Sequence, residues 1–381
     1  MHYAIISETW PPEVNGVALT VQALAEGLEA RGHRVTVVRP RQSRDQVQPE
    51  GTWLVDSLPL PRYPGLRMGR PAGRLLRREW QRDCPDAVYI ATEGPLGNSA
   101  LGAARALGIP AATGLHTRFD QYMDAYGAGL LRGLALAWMR RFHNRGQATL
   151  VPTRELQEEL AGLGFRQLRR LARAVDTVQF DPAHRDRGLR ASWGVAPEDP
   201  VLLHVGRLAA EKNLDLAIRA FRAVQARQPR ARMVLVGDGP LRATLAGLHP
   251  DLEFAGVRRG DELARYYASA DLFVFPSLSE TFGNVTLEAM ASGLPVIAQD
   301  TGAAAEHLVD GRHGAAVPPG DDDAFVRACV HLGMDPGLRR VMGAAARQAT
   351  SSLEPASVAA DFDRLLQSLA TEAGNGARSF A

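Results

Sequence analysis

Short apolar runs alternate with amphipathic stretches along the chain, and this alternation limits the fold more than any other feature. Tyr3–Ser7, Arg34–Val38, Ala87–Ala91, Pro110–Thr113 and Thr149–Val151 are short, apolar and bounded by turn residues, so each is predicted as a strand. Between them, Val17–Ala30, Ala100–Leu107, Leu130–Asn144 and Thr153–Leu163 carry helical periodicity, the last opening on a near capping box at Thr153-Arg154-Glu155-Leu156. The pattern pauses at Arg173-Ala174-Val175-Asp176 and resumes after Pro200. Strands are then predicted at Val201–Val205, Arg232–Val236, Leu252–Phe254, Leu272–Phe275 and Pro295–Ala298. Helices are predicted at Leu214–Gln228, Gly239–Gly247, Asp261–Ser269 and Asn284–Ser292. Alternating strands and helices imply parallel, doubly wound sheets, and 381 residues are too many for one core. The expected organisation is an α/β domain over 1–174, a second over 175–355, a helix over 356–371 and a disordered tail over 372–381.

Composition narrows the function classes. No apolar window approaches about 18 residues and no basic segment leads into one, so neither a transmembrane helix nor a signal peptide is expected, and the chain reads as cytoplasmic. Cys84 and Cys329, far apart in sequence, are expected as buried thiols without metal-ligand spacing. Residues 1–175 carry 23 Arg against 16 Asp and Glu, a balance of +7, while the remainder carries 21 basic against 26 acidic residues, a balance of −5. Arg62, Arg67, Arg70, Arg74, Arg77, Arg78 and Arg82 cluster, with Arg132, Arg140 and Arg141 further on. Such a basic face suits an anionic partner, a membrane surface or a nucleic acid; a solvated helix face gives the same pattern. Lys212 is the only lysine in the chain. A compact ammonium kept at one position in an Arg-rich chain suits a point charge on phosphate.

Ligands of parallel α/β sheets bind beyond the carboxyl ends of the strands, and four candidate segments lie there. The loop Ser7–Gly16 leads into a helix whose first amides, from Gly16 onward, can receive an anion. No GxGxxG accompanies it, which argues against a nicotinamide dehydrogenase. Gly206-Arg207-Leu208-Ala209-Ala210-Glu211-Lys212 follows a buried strand and brings two cations to a strand-to-helix turn, suited to a departing diphosphate or to a surface pair with Glu211. Glu280 precedes Phe282-Gly283-Asn284, whose amides would open a helix carrying Glu288; two carboxylates there suit sugar and ribose hydroxyls. The bland alternatives are a helix N-terminal charge and a surface glutamate. His116, with Thr117 and Arg118, ends a strand; such an imidazole can bond a sugar hydroxyl or serve the fold.

Taken together these residues resemble glycosyltransferase family 4, the retaining nucleotide-sugar transferases of the GT-B fold. Glu280 to Glu288, followed by Ala289-Met290-Ala291-Ser292-Gly293-Leu294-Pro295-Val296, is similar to that family's E-x7-E segment. Gly206-Arg207 with Glu211-Lys212 is similar to its phosphate clamp, and Arg173-Ala174-Val175-Asp176-Thr177 to its R-G-V-D-T junction, with Ala174 in place of Gly. Val236-Gly237-Asp238-Gly239-Pro240 and Phe254-Ala255-Gly256 are further matches.

The resemblance implies two Rossmann-like domains facing across a cleft, with the C-terminal helix crossing back to the first. It implies a nucleotide-sugar donor held by Arg207 and Lys212 at the diphosphate, with Gly16 helping. Glu280 and the amides of Phe282, Gly283 and Asn284 would hold the sugar, Glu288 the ribose, and Val257 and Arg258 the base. His116 would touch the donor sugar, making His116, Arg207, Lys212 and Glu280 the catalytic set. No cofactor and no metal is implied, since the two cations neutralise the leaving group. Ser7–Val17 and His143-Asn144-Arg145 are similar to bacterial GDP-mannose-dependent α-mannosyltransferases and sulfoquinovosyl-type enzymes that modify lipids.

The expected reaction is thus hexose transfer, with mannose from GDP-mannose leading, to a lipid or glycan hydroxyl. Glu8, Arg118 and Tyr122 are the expected acceptor contacts, and the basic face would rest on the inner membrane surface rather than on nucleic acid. UDP-glucose, UDP-galactose or a derivative is the rival donor. A GT-B epimerase or phosphorylase, or a binding module with a degenerate site, stands behind these.

Overall fold

The structure, a computed structural model, describes residues 1–11, 16–43, 46–59, 67–116, 132–277, 280 and 282–378, with side chains up to 373. The chain forms two compact units, one of residues 1–174 and 355–381 and one of residues 175–354.

Among the described residues, the first unit is built on a seven-stranded sheet of order β3-β2-β1-β6-β7-β8-β9. The strands are β1 (His2–Ile6), β2 (Arg34–Pro40), β3 (Thr52–Val55), β6 (Ala87–Ile90), β7 (Ala111–Gly114), β8 (Ala148–Val151) and β9 (Leu168–Arg170). Every pairing is parallel. β1 and β6 are buried at every position, because helices cover both faces of a parallel sheet and leave no polar side. A small antiparallel ribbon, β4 (Ser57–Pro59) with β5 (Arg67–Gly69), stands apart. One face is covered by α1 (Gly16–Ala30) and the other by α2 (Gly73–Arg82) and α3 (Pro95–Ala106). Helices α4 (Arg132–His143) and α5 (Arg154–Gly162) follow. Thr153 caps α5, its hydroxyl accepting the Leu156 amide at 3.2 Å.

The second unit has six parallel strands in the order β12-β11-β10-β13-β14-β15. They are β10 (Val201–Val205), β11 (Arg232–Val236), β12 (Glu253–Gly256), β13 (Leu272–Phe275), β14 (Val296–Gln299) and β15 (Gly314–Val317). Around them lie α6 (Arg187–Ser192), α7 (Leu214–Gln225), α8 (Arg242–Leu248), α9 (Gly260–Ser269), α10 (Asn284–Ala291), α11 (Ala303–His307), α12 (Asp322–Met334) and α13 (Pro336–Ala349).

The last helix, α14 (Pro355–Arg378), belongs to the first unit. Its buried stripe of Val358, Phe362, Leu366 and Leu369 recurs at helical spacing and joins the core beneath Tyr3, Ile5 and Leu28. Gly27 makes the approach of α1 to α14 possible, since a Cβ there would lie 2.4 Å from Ala359 Cβ. Two expectations are corrected. The tail over 372–381 is not disordered from its start: α14 runs through Arg378. Extending an existing helix fixes one residue per added hydrogen bond, which outweighs the weak propensity of Gly374 and Gly376. Cys84 is exposed in the turn after α2 rather than buried, while Cys329 is buried; both are free thiols.

A buried carboxylate ties α14 to β1 and α1. Asp363 accepts the Tyr3 hydroxyl and Arg31 Nε, both at 2.9 Å, and lies 3.0 Å from His33 Nε2. These partners hold its pKa down to about 2, against burial, which acts the other way. A folded-state pKa below the unfolded one contributes stability above the ordinary carboxylate range and loses it as pH falls through that window. Asp363→Ala is therefore expected to lower the unfolding free energy by roughly 3 kcal/mol at pH 7 in urea titrations. The difference from wild type should shrink as pH falls from about 4 towards 2.

Candidate functional site

In the second unit the strand order reverses between β10 and β13, whose neighbours lie on opposite sides, and an α/β sheet opens a crevice at such a point. The turns that leave these two strands meet there. After β10, Gly206 bends the chain at φ 156° into Arg207, and residues 210–212 form one 3₁₀ turn. Backbone packs on backbone: a Cβ on Gly237 would fall 1.9 Å from Gly206 O, and one on Gly239 2.4 Å from Leu208 O. Asn213, at φ 50°, turns the chain into α7.

This turn delivers Lys212, whose ammonium is hydrogen-bonded to Glu280 from the far side of β13. Both side chains are about 15 % exposed, so the pair is shielded from screening. The ammonium also sits 5.5 Å from the centre of the Phe275 ring. Ser277 donates to Glu211 O at 3.2 Å, a second link between the two turns. Arg207 lies in the same turn, more open, 3.9 Å from Glu211. The surface pairing with Glu211 is thus present for Arg207, while the partner of Lys212 is Glu280. Beneath the turn His204 is fully buried; its Nδ1 bonds Val274 O at 3.1 Å, Nε2 has no partner among the described residues, and burial pushes its pKa down to about 4.

The Glu280 turn opens α10. Gly283 caps it at φ 89°, in the left-handed region, and Asn284 is its first residue. Gly302 is held close beneath: its Cβ would lie 2.5 Å from Phe282 O, which accepts the Ala303 amide at 2.6 Å. Glu288, one turn into α10, is half-buried; Tyr267 on α9 donates to its Oε2 at 2.8 Å. Burial pushes the Glu288 carboxyl up to about 7, against the pull of the Tyr267 hydroxyl. Val257 and Arg258 leave β12, Val257 exposed and Arg258 paired with Glu262 and lying over the Tyr266 ring.

The first unit places its candidates at the same end of its sheet. Gly16 is the first residue of α1. His116, after β7, has both ring nitrogens engaged: Tyr89 Oη is 2.8 Å from Nε2 and Arg173 Nη2 is 2.6 Å from Nδ1. Glu8, an expected acceptor contact, also holds the backbone around it. Its two carboxylate oxygens accept the amides of Gly69, at 2.5 Å, and Leu96, at 2.9 Å, so it caps α3 and fastens β5. Arg118 and Tyr122 lie outside the described residues. Sequence reasoning missed Tyr89, Arg173, His204, Tyr267 and Ser277 as site-forming residues; only Arg173 carried a signal, within the Arg173–Thr177 motif.

Comparison with known proteins bears on this geometry. Residues 14–179 match the family described as Glycosyltransferase Family 4, and residues 199–335 that described as Glycosyl transferases group 1. A GDP-mannose-dependent alpha-mannosyltransferase of Mycobacterium tuberculosis is 37 % identical over 339 residues, covering 86 % of this chain and 87 % of that one. The chain belongs to glycosyltransferase family 4. An alpha-monoglucosyldiacylglycerol synthase of Acholeplasma laidlawii is 24 % identical, covering 93 % of each chain. Among solved structures, HepE of Anabaena in complex with UDP superposes with a TM-score of 0.74 at 18 % identity, covering 97 % of this chain and all of that one. The fold is GT-B, and the protein is a glycosyltransferase.

The Glu288 environment predicts a pH signature. Its folded pKa stands above the unfolded value, so the carboxyl costs stability as pH rises from the ordinary carboxylate range through about 7. Glu288→Gln removes that cost. Relative to wild type, its unfolding free energy should rise between pH 5 and pH 8 by on the order of 2 kcal/mol, measured by urea denaturation. A pH-independent difference would show that Glu288 is ionised throughout.

Proposed function

We propose that this glycosyltransferase moves mannose from GDP-mannose to a hydroxyl of a lipid or glycolipid acceptor, with retention at the anomeric carbon. The observation that carries the reading is the Lys212–Glu280 contact at the strand-order reversal: a cation and a carboxylate joined in one crevice. These are the two charge types that a diphosphate and its attached hexose need. The names of the mycobacterial and Acholeplasma relatives support the mannose donor and the lipid acceptor respectively.

In this reading Arg207 and Lys212 bind the diphosphate and take up the charge that builds as the glycosidic bond breaks. The amide of Gly16, at the start of α1, adds a partial positive charge. Glu280 and the amides of Phe282, Gly283 and Asn284 hold sugar hydroxyls, and Glu288 the ribose diol. The backbone at Val257 and Arg258 frames the base, and His116 touches the donor sugar. The anomeric carbon loses the phosphate oxygen and gains the acceptor oxygen on the same face, while the acceptor proton passes to the departing diphosphate. The chain's own cations supply the neutralising charge, so the step is written without cofactor or metal. Glu8, Arg118 and Tyr122 are proposed acceptor contacts; Glu8 also holds α3 and β5 in place.

The acceptor side implies a lipid surface, and the first unit carries a basic face fitted to one, with the enzyme peripheral on the inner membrane surface. On α2 Leu76 and Trp80 are buried while Arg74, Arg77, Arg78 and Arg82 are exposed. On α4 Arg132, Arg140 and Arg141 are exposed beside Leu134 and Trp138. Each basic residue near an anionic surface contributes about 1 kcal/mol. Arg67 is not part of this face, because its guanidinium is bound to Ser57. No described helix is long and apolar enough to cross a membrane.

Mass-detected transfer from a set of nucleotide sugars to a bacterial lipid extract tests the donor: mannosylated lipid is expected with GDP-mannose, and faster turnover of a UDP-sugar would overturn that choice. Arg207→Ala and Lys212→Ala should each lower kcat/KM by about 10- to 100-fold, one charge-assisted contact apiece. In flotation with phosphatidylserine-containing vesicles, replacing Arg74, Arg77, Arg78 and Arg82 by Ala should weaken binding by at least about tenfold. Equal flotation would remove α2 from the contact.

A further inference from the structure

Arg173 is a buried cation with no acid in hydrogen-bond contact among the described residues. Its residue is 8 % exposed, comparable with Arg190 and Arg339. Arg190 is paired with Asp271 and bonded to carbonyls of Ser269 and Asp199, and Arg339 bonds the carbonyls of Leu332 and Gly333. Among the described residues, Arg173 bonds one group only, His116 Nδ1 at 2.6 Å. A guanidinium has donors and no acceptor, so Nδ1 must present its lone pair, and the proton of a neutral imidazole is then on Nε2. That nitrogen faces Tyr89 Oη at 2.8 Å.

The surroundings are built for this arrangement. A Cβ on Gly114 would lie 2.1 Å from Tyr89 Oη and 2.7 Å from His116 Nε2, so the strand end carries glycine where the two polar groups meet. The groups that face the ring are Tyr89 from β6, Arg173 after β9 and His143 from α4. His143 in turn bonds Thr113 at 2.8 Å and Glu93 at 3.2 Å. A neutral phenol, a fixed cation and a second imidazole face the ring, and among the described residues no carboxylate bonds it to favour a second proton. Burial, Arg173 and His143 all hold its pKa well below the usual histidine range.

We infer that Arg173 is a positioning residue that locks His116 as the neutral Nε2–H tautomer, turned to Tyr89, so that this ring enters the transfer neither as a base nor as a cation. The kinetic consequence rests on the contact between His116 and the donor sugar proposed above; the tautomer does not.

Nitrogen-15 NMR of the full-length enzyme labelled at histidine separates the two. Wild type is expected to show His116 as one Nε2–H tautomer, without titration, from pH 5 to pH 8. In Arg173→Met the protonation step of the ring should move upward, though still below the ordinary histidine value of about 6.5 because burial and His143 remain, and Arg173→Lys, which keeps a donor, should suppress the shift. A wild-type ring protonated at Nδ1, or one that titrates alike in wild type and Arg173→Met, would overturn the inference. If Arg173→Met does not fold, the wild-type spectrum alone decides it. In the same variants kcat/KM should acquire the shifted pH step with Arg173→Met and lose it again with Arg173→Lys. An NMR step without a kinetic one leaves the tautomer lock supported and removes His116 from the donor contact.

Discussion

The ion pair between Lys212 and Glu280 joins the two turns that meet where the strand order of the second unit reverses. The two residues lie 68 positions apart and come together because β10 and β13 are adjacent parallel strands whose connections leave in opposite directions. A half-buried pair of this kind is costly to desolvate and is worth keeping only where geometry is tight. The tightness is visible in the glycines at 237, 239 and 302, where a single Cβ would strike backbone. The crevice is therefore shaped by main chain, and the charged side chains are held at its edge by turns that have little freedom to adjust.

The arrangement also explains a composition that looks odd in isolation. A chain with 43 arginines carries its one lysine at the contact with Glu280. The ammonium, a compact point charge, lies over the Phe275 ring and bonds Glu280 together. Arg207, by contrast, is open and reaches across its own turn to Glu211.

Much of the fold was legible in the sequence, because strands buried on both faces must be apolar throughout and helices must return between them; β1, β2, β10 and β11 coincide with the predicted runs to within two residues. The Glu280–Glu288 segment and the Arg207–Lys212 turn were legible as local patterns. What stayed hidden is what depends on distant pairs. Nothing near Glu8 in sequence shows that its carboxylate would cap α3, 88 positions away, and nothing near Tyr89 shows that it would meet His116. The ionisation of Glu288 was equally invisible, since it is set by Tyr267 on another helix and by burial. Short edge elements such as β4, β5 and β9 lack the length to leave a periodic signal.

The central claim is that the Arg207–Lys212 turn and the Glu280 turn form one nucleotide-diphosphate site. Calorimetric titration of GDP into the wild type and into the Arg207→Ala/Lys212→Ala double variant tests it most directly. The account predicts one GDP per chain, with affinity that falls as salt is raised, and a loss of binding in the double variant that Glu288→Gln does not reproduce in full. Undiminished GDP binding by the double variant would contradict it.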